Sequence, residues 1–315
     1  MFTTHPDWDQ WEVLAEECAA QTYRDFQIVV VTPFLKTLTS SVVGRTLKLS
    51  AGDGGYTFTS PRDTPWRRER LFCAASARNS GLIYARGDLV VSLDDGVTFG
   101  PEFLDCIAEW WRRGLCAVPM YQCEDGVMEA RWTWFCAQER ESVIMSATAP
   151  NHGEPCHCGL NTYPLEAAIA LNGYDEHFDG VRGLEDMNWS RRLIRHSVAS
   201  VLDRNLIVTA HPSGDYPPEI LDVDNQSARC CNPTYTLSMT RGLVANRTPY
   251  TKDEIESILH CFYWHDGRCG YWQDKQDCPL PWGGTGHPVA QRIMVDEAYP
   301  ETFDLAAARR AAGVE

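Results

Sequence analysis

Long hydrophobic runs are missing from this sequence of 315 residues. No stretch approaches the roughly 18 apolar residues that a membrane-spanning helix needs. The polar start, MFTTHPDWDQW, also lacks the basic and apolar regions of a signal peptide. We therefore expect a cytoplasmic, globular protein without a transmembrane segment.

Basic residues are few relative to acidic ones. The chain has 28 Lys and Arg against 43 Asp and Glu, which gives a formal charge of −15 and a pI near 5.0. Nonspecific binding to nucleic acids or anionic membranes depends on clustered Lys and Arg, so the charge disfavours both. The densest basic stretches, PWRRERLF at 65–72 and SRRLIRHS at 190–197, leave a local basic groove open, although such stretches are also typical of solvated helix faces.

The spacing of a typical zinc site is missing as well, although the chain has 13 Cys. In a chain without an export signal we expect these residues to stay thiols, most of them in the core. A structural zinc site remains an alternative, but none of its candidates has the usual two-residue spacer. These candidates are Cys156 with Cys158, Cys230 with Cys231, and Cys261, Cys269 and Cys278 with His265.

The composition that is present suits a large folded core, since 44% of the residues are hydrophobic and 11% are aromatic. Helical spacing and β-branched runs alternate along the first two thirds of the chain, which indicates an α/β layered fold. We predict long loops with short strands over about 124–165, and a Gly- and Ser-rich connecting patch at 51–60. The predicted helices are DQWEVLAEECAAQ, CAASARNSGLIYA, PEFLDCIAEWWRRG, a helix from Glu166, one around Trp189 and Leu193, TKDEIESILHCFY (251–263) and 304–312. The predicted strands are FQIVVVT (26–32), GDLVVSL (87–93), CAVPMYQ and 206–210.

Two adjacent acids, Asp94 and Asp95, follow the strand pattern DLVVSL directly. Burying a carboxylate costs several kcal/mol unless a cation or hydrogen-bond donors compensate it, so the pair suggests a metal or a polar ligand. A helix cap followed by a turn, helped by Gly96 and Gly100, is the alternative interpretation.

Three stretches together resemble the family 2 glycosyltransferases, which have the type A fold, a Rossmann-like domain that binds a nucleotide sugar. They are QTYRDFQIVVV, ARNSGLIYARGDLVVSLDDG and ALNGYDEHFDGVRGLEDMNWSRRLI, in the order and spacing of that family. The third is also similar to the acceptor-side motif of the β-1,4-galactosyltransferases. The resemblance covers about residues 8–215 and implies a metal-dependent, inverting transfer of a sugar from a nucleoside-diphosphate sugar to a hydroxyl group.

The resemblance implies a metal site for Mn²⁺ or Mg²⁺ near the acid pair, because a divalent cation stabilises the departing diphosphate. Asp95 would bind the metal, and Asp94 would contact the ribose or support the site. The third position of the family's Asp-X-Asp motif is Gly96 here, so this site departs from the pattern. His211, at the end of the last predicted strand, resembles a distant metal-binding histidine in several such enzymes, although a lone histidine after a strand is more often structural.

The resemblance also assigns roles on the donor and acceptor sides. Asp186 would be the general base and Glu185 would hold the acceptor hydroxyl, since a sugar hydroxyl needs a carboxylate to take its proton. As an alternative, both acids only complement the dipole of the helix that they begin. Arg78 would contact a phosphate and Asn79 the base or ribose.

Two departures from the family concern the first half of the chain. Family members begin with a hydrophobic strand, whereas only MFTTHPDW precedes the first predicted helix here, so we expect that strand to be truncated or the start site to lie upstream. The second strand usually ends in an acid that contacts the nucleotide base, and Thr32 stands there instead. UDP is therefore expected from its frequency in the family alone.

We expect a catalytic domain over residues 1–215, with a nucleotide-sugar half at about 1–120 and an acceptor half at about 121–215. Residues 216–315 would form a C-terminal extension packed on it. The acceptor remains open between a glycan and a hydroxymethylated base of viral DNA. A catalytically inactive relative that only binds nucleotide sugars is the alternative from another class.

Overall fold

The computed structural model describes residues 9–32, 52–63, 74–93, 97–123, 143–145, 161–176, 179, 185–210, 243–246 and 302–314. Helices and strands alternate through most of these residues. The helices are α1 (Asp9–Ala20), α2 (Ala74–Tyr84), α3 (Phe103–Arg112), α4 (Leu165–Ala170), α5 (Glu185–Arg195) and α6 (Leu305–Ala311). The strands are β1 (Ile28–Val31), β2 (Tyr56–Thr59), β3 (Leu89–Ser92), β4 (Val97–Phe99), β5 (Cys116–Cys123), β6 (Val143–Met145), β7 (Asn161–Pro164) and β8 (Ser200–Ala210).

Among the described residues, the strands form three hydrogen-bonded groups, with both parallel and antiparallel pairs. β1 pairs with β2 in parallel, and β3 pairs with β7 antiparallel. β8 lies between β4, which is antiparallel to it, and β5, which is parallel to it, while β6 pairs with the first residues of β8. Helices flank these strands, so the predicted α/β fold class is confirmed.

Most predicted strands are present, with three differences. β1, β3 and β5 are confirmed, whereas β2 was predicted as part of a connection. β8 begins at Ser200, six residues before the predicted start. The prediction missed these residues because the polar residues 203–205 interrupt the apolar pattern of the strand. Along β5 the partner position on β8 moves from Asp203 to Ile207 between consecutive residues, so an irregularity sits at this interruption. β3 resembled a strand of a parallel sheet, but its partner among the described residues is antiparallel, and its four residues are only half-buried.

The helices follow the predicted apolar spacing. On α1 Cys18 is buried, on α3 Ile107 is buried, and on α5 Trp189 and Leu193 are buried, as their three- and four-residue spacing predicts. The last helical residue of α3 is Arg112, and Gly114, the predicted stop, follows the C-cap residue Arg113 with a φ of 78° that glycine adopts without strain. The first helical residue of α3 is Phe103, two residues after the predicted position at Pro101.

Two apolar clusters form the core. The first joins α1, α3 and strands β1, β4, β5 and β8 through residues such as Val30, Phe99 and Ile107. The second joins α2, α4, α5 and α6 through residues such as Leu82 and Trp189. Among the residues that the structure describes, none of the helices combines the length and the apolar composition that a bilayer span requires.

Described parts of the C-terminal region pack on the second cluster. Arg309 of α6 is buried, and its Nη1 donates to the carbonyl oxygens of Leu82 and Ala85 at 2.6 and 2.7 Å. The guanidinium thus satisfies carbonyls at the end of α2, where a helix has no intrahelical donors left. The predicted domain boundary at residue 215, the predicted helix at 251–263 and the eight residues before α1 lie outside the described residues.

Candidate functional site

Arg78 on α2 and Glu185 on α5 form a buried ion pair. Arg78 Nη1 donates to Glu185 Oε1 at 2.7 Å, and the two side chains are 10% and 7% exposed. They are 107 residues apart in the chain. The fold therefore brings together a residue that was predicted on the donor side and one that was predicted on the acceptor side.

The second carboxylate oxygen of Glu185 is also buried, yet it makes no hydrogen bond with any residue that the structure describes. The indole Nε1 of Trp189, one helical turn further along α5, is in the same situation. A buried polar atom without a partner costs about 1 to 3 kcal/mol, so such atoms call for an explanation. A hydroxyl-bearing ligand would supply the donor that Glu185 Oε2 lacks.

An aromatic group supports this pair from the core side. The rings of Tyr174 and Trp189 stack with their centroids 4.6 Å apart, and Tyr163 meets Trp189 edge to face at 5.1 Å. The guanidinium carbon of Arg78 lies 5.4 Å from the centre of the Tyr174 ring, a distance at which a cation is attracted to the ring face. Arg78 is thus held by a carboxylate and by an aromatic face together.

Asn79, the neighbour of Arg78, is fully buried and uses both ends of its side-chain amide. Nδ2 donates to the Tyr174 carbonyl oxygen and to Glu176 Oε1, each at 2.9 Å, and Oδ1 accepts from the Tyr174 N–H at 2.7 Å. The predicted contact between Asn79 and the nucleotide stays a prediction. What the described contacts do is fix the segment 174–176 against α2.

The sequence Asn172-Gly173 makes this contact possible. Both residues have positive φ, 60° and 70°, so the chain turns sharply after α4. A Cβ atom at Gly173 would overlap the Asn79 amide, so both the turn and the close approach require glycine here. The Asn172 side chain ties the turn to the C-terminal region, donating to the carbonyl oxygens of Ala245 and Phe303 at 2.8 and 2.6 Å.

Asp179 lies at the amino end of α2. Its carboxylate oxygens accept from the N–H groups of Ala75 and Ser76 at 2.9 and 3.1 Å. Burial raises the pKa of the Asp179 carboxyl well above its usual value, and the charge of Glu176 raises it further, while the two backbone N–H bonds act in the opposite direction. This residue connects the turn before α5 to the helix that carries Arg78.

Asp186 follows Glu185 in the first turn of α5, and its side chain is half-buried. Its carbonyl oxygen accepts from the Ser190 hydroxyl at 2.9 Å, a bond between residues four apart in the helix. Because consecutive helical residues are rotated by about 100°, the two carboxylates point in different directions from the helix axis. Glu185 faces Arg78, so the two acids of this first turn do not point at the same place.

The predicted metal ligands Asp95 and His211, and Asp94 beside them, lie outside the described residues. The strands on either side nevertheless constrain where the chain leaves the sheet. Val97, the first residue of β4, is the antiparallel partner of Ala210, the last residue of β8. Directly opposed residues in such a pair have Cα atoms about 4.5 to 5.5 Å apart. The chain two residues after Asp95 and the chain one residue before His211 are therefore neighbours.

No group of three or more potential metal ligands occurs among the described residues. Cys18, Cys106 and Cys116 are free thiols, as expected for these three residues. The proposed zinc-binding cysteines lie outside the residues that the structure describes.

Several residues of this site were not predicted from the sequence. Glu176 and Asp179 belong to a quoted stretch but received no role, and Asn246 was not considered. Asn246 Oδ1 accepts from the Glu176 N–H at 2.9 Å, and its Nδ2 donates to the Tyr174 carbonyl oxygen at 2.7 Å. The one signal in the sequence was the density of acids in YDEHFD.

Comparisons with known proteins identify the fold. No protein-family model matches the chain, and no curated protein sequence matches it. The crystal structure of S. aureus TarS 1-349 aligns with a TM-score of 0.56 and 11% identity, covering 85% of this chain and 72% of that one. The same protein in complex with UDP aligns at 0.54, with 11% identity over 84% and 70%.

A third structure, TarS 1-349 in complex with UDP-GlcNAc, aligns with a TM-score of 0.50 and 12% identity, covering 94% of this chain and 69% of that one. At this level of identity the likeness establishes the fold alone. The chain has the type A glycosyltransferase fold, as the three sequence stretches predicted.

Proposed function

We propose that this protein is a metal-dependent, inverting glycosyltransferase that moves a sugar from a nucleoside-diphosphate sugar to an acceptor hydroxyl. The observation that carries the proposal is the buried Arg78–Glu185 pair, in which Glu185 Oε2 makes no hydrogen bond to any residue that the structure describes. A cation suited to a diphosphate and an acceptor atom suited to a hydroxyl lie in contact, which is what the transfer reaction needs at the junction of its two substrates.

On the donor side, we assign Arg78 to the diphosphate, because a guanidinium forms paired, charge-assisted hydrogen bonds with phosphate oxygens. Asp94 is assigned to the ribose. Asn79 is also assigned to the donor side. Its hydrogen bonds to Tyr174 and Glu176 hold α2 in place, and Arg78 is its neighbour on that helix. The TarS structures contain UDP and UDP-GlcNAc, which supports UDP as the nucleotide here.

Asp95 and His211 are assigned to a divalent metal. Carboxylate and imidazole are ligands that suit Mn²⁺, and carboxylate suits Mg²⁺. The pairing of Val97 with Ala210 favours this assignment, because the two ligands flank that pair. When bound, the cation would stabilise the negative charge of the departing diphosphate.

On the acceptor side, we assign Asp186 as the general base and Glu185 as the residue that accepts a hydrogen bond from the acceptor. Asp186 takes the proton of the acceptor hydroxyl, whose oxygen then forms a bond to the anomeric carbon. The bond from that carbon to the diphosphate oxygen breaks on the opposite face, so the configuration inverts. Glu185 Oε2 orients the acceptor, while its ion pair with Arg78 fixes the carboxylate.

The acceptor class stays open between a glycan and a hydroxymethylated nucleobase. The net charge of −15 favours the glycan, because DNA binding relies on released counterions and basic side chains. The residues with assigned roles otherwise suit any hydroxyl group.

A panel of nucleotide sugars, screened by thermal shift with and without Mn²⁺, tests the proposal. We expect UDP and at least one UDP-sugar to raise the melting temperature in Mn²⁺, and slow release of UDP from that sugar when no acceptor is present. Binding without any release of UDP would favour an inactive relative. The absence of both a shift and a release would contradict the proposed function.

A further inference from the structure

Helix α2, which carries Arg78, has a sequence that is unfavourable for a helix. Four of its 11 residues, Ser76, Asn79, Ser80 and Gly81, belong to types with a lower helix propensity than alanine, and glycine is the least favourable of them. A helix of about three turns gains most of its stability from packing rather than from its own propensity. The position of α2, and with it that of Arg78, therefore depends on contacts from other parts of the chain.

An arginine of the C-terminal helix α6 holds the carboxyl end of α2. Arg309 lies 227 residues from Leu82 along the chain, and its Nη1 donates to the carbonyl oxygens of Leu82 and Ala85. One nitrogen atom thus holds the carbonyls of two residues. The carboxyl end of a helix carries a partial negative charge, and a buried cation there is more favourable than an exposed one. Arg309 is 4% exposed, so water does not screen this contact.

Helix α6 is itself fixed where it begins. The Asp304 carboxylate caps the helix by accepting from the Ala307 N–H at 2.9 Å, and the Leu305 N–H donates to Asn172 Oδ1 at 2.8 Å. Leu305 is fully buried and lies four residues before Arg309, so the two side chains are on the same face of α6. The cap and the buried leucine together place the Arg309 guanidinium at the end of α2.

The last turn of α2 links Arg309 to Arg78. In an α-helix the carbonyl of residue 78 accepts from the N–H of residue 82, the residue whose own carbonyl Arg309 holds. This turn begins at Gly81, so it unwinds more easily than the rest of the helix when its carbonyls lose a donor. Gln27 Nε2 donates to the Tyr84 carbonyl oxygen at 3.2 Å, which keeps α2 attached to the fold when Arg309 is replaced. Loss of Arg309 should therefore loosen Arg78 without unfolding the protein.

We propose that Arg309 is a positioning residue for the Arg78–Glu185 pair. It holds the last turn of α2, and this turn keeps Arg78 Nη1 at 2.7 Å from Glu185 Oε1. Through Arg78 it also sets the place of the donor diphosphate. This last step rests on the proposed function, whereas the hold on Arg78 does not.

The reactivity of Arg78 toward phenylglyoxal, which modifies guanidinium groups, tests the proposal, with the modified peptides quantified by mass spectrometry. Arg309→Lys and Arg309→Met are the matched pair. A lysine ammonium has three N–H donors on one atom and can reach both carbonyls, whereas methionine has a similar length and no donor. Arg78 is 10% exposed and should react slowly in the unchanged protein and in Arg309→Lys, but about 10-fold faster in Arg309→Met. Equal rates in the two variants would overturn the proposal.

Two other arginines show whether the effect is local. The Arg112 side chain on α3 is 60% exposed and should react equally fast in all proteins. Arg192 on α5 is 2% exposed and should react slowly in all of them. If Arg192 is accelerated as much as Arg78, the variant has lost stability in general, and a positioning role of Arg309 is excluded.

Asp304→Ala replaces Arg309→Met if the methionine variant does not fold. It removes the cap of α6 at an exposed position and leaves Arg309 in place, so its effect should be milder. Arg78 should then react about 3-fold faster than in the unchanged protein. An unchanged rate of Arg78 modification in Asp304→Ala would overturn the proposal.

The affinity for UDP separates the positioning of Arg78 from the proposed function. In Mn²⁺ the Arg309→Met protein should bind UDP about 10-fold more weakly than Arg309→Lys. Equal affinities together with different rates of Arg78 modification would overturn the link to the diphosphate. If the unchanged protein binds no UDP, the proposed function fails, and the rates of Arg78 modification still decide whether Arg309 holds this residue.

Discussion

The two sides of α2 differ in what holds them. On one side, the polar junction formed by Asn79, Tyr174, Glu176 and Asp179 is connected by hydrogen bonds of 2.7 to 3.1 Å. On the other side, Gly81 and Leu82 of α2 line a cavity of about 460 Å³ whose other walls include the apolar residues Val29 and Val91 of β1 and β3.

The difference shows what each kind of contact determines. Hydrogen bonds between buried groups specify position, because a displaced partner leaves an unpaired polar atom that costs about 1 to 3 kcal/mol. The free energy of apolar contacts depends on the apolar area that is buried and little on the direction in which the side chains meet. The residues proposed for chemistry, Arg78 and Glu185, accordingly lie beside the polar junction, where a position can be kept within a fraction of an ångström.

The largest effect is expected on the transfer rate of Asp186→Asn, a variant that distinguishes a catalytic role of this acid from a structural one. Asp186→Asn keeps the shape and much of the helix-capping ability of Asp186, so folding and UDP binding should be retained. Transfer should fall by roughly 10²-fold or more, the scale of losing a general base. The melting temperature and the transfer rate are measured on one preparation.

Glu166→Gln is the matched control, because Glu166 is an exposed acid in the first turn of α4. It should leave both quantities unchanged. A stable Asp186→Asn protein with near-normal transfer would remove Asp186 from the mechanism and make Glu185 the next candidate for the base.

The next largest effect is on the free energy of unfolding, and the variant removes hydrogen bonds of the polar junction itself. Asn79→Ala removes one hydrogen bond each from the N–H and the C=O of Tyr174, and it removes a donor from Glu176. We expect the free energy of unfolding to fall by about 2 to 4 kcal/mol, measured by urea denaturation. Asn205→Ala, at an exposed position of β8, should cost less than about 0.5 kcal/mol. Similar losses in both variants would mean that the junction is not a special source of stability.

A smaller effect depends on pH and concerns Asp179. Its pKa in the folded protein is raised above the unfolded value of about 3.9. A raised acid pKa gives stability that is fully present below the unfolded pKa and is lost as pH rises through the folded pKa. The free energy of unfolding should therefore decline as pH increases from about 4, and Asp179→Asn should flatten that decline.

Urea denaturation over a series of pH values measures this difference. Asp53→Asn, an exposed position in the turn before β2, serves as the control and should follow the unchanged protein. If the Asp179→Asn curve has the same slope as the control, the carboxyl does not titrate as burial requires.

Local patterns predicted much of the fold. α1, α3 and α5 were predicted because their apolar residues recur at helical spacing, and β1, β3 and β5 because they are continuous apolar runs. β2 was missed because its sequence, YTFT, is short, half-buried and preceded by glycines. The first half of β8 was missed because polar residues interrupt it near Asp203, where the pairing with β5 is irregular.

The site was only partly predictable, for a different reason. Arg78 and Glu185 each stood in a stretch that resembles a known family, but their contact joins residues 107 positions apart and belongs to neither stretch. The antiparallel partner of β3 and the hydrogen bonds of Asn246 also depend on distant segments. Local spacing along the chain does not predict such long-range contacts, so the structure was needed to find them.

The central claim is that a metal held by Asp95 binds the diphosphate of a nucleotide sugar beside Arg78. Calorimetric titration of UDP in the presence of Mn²⁺ into the unchanged protein and into Asp95→Ala tests it most directly. We expect binding by the unchanged protein that is lost when Mn²⁺ is removed, and no measurable binding by Asp95→Ala with the melting temperature retained. Equal UDP affinity of the two proteins in Mn²⁺ would contradict the claim.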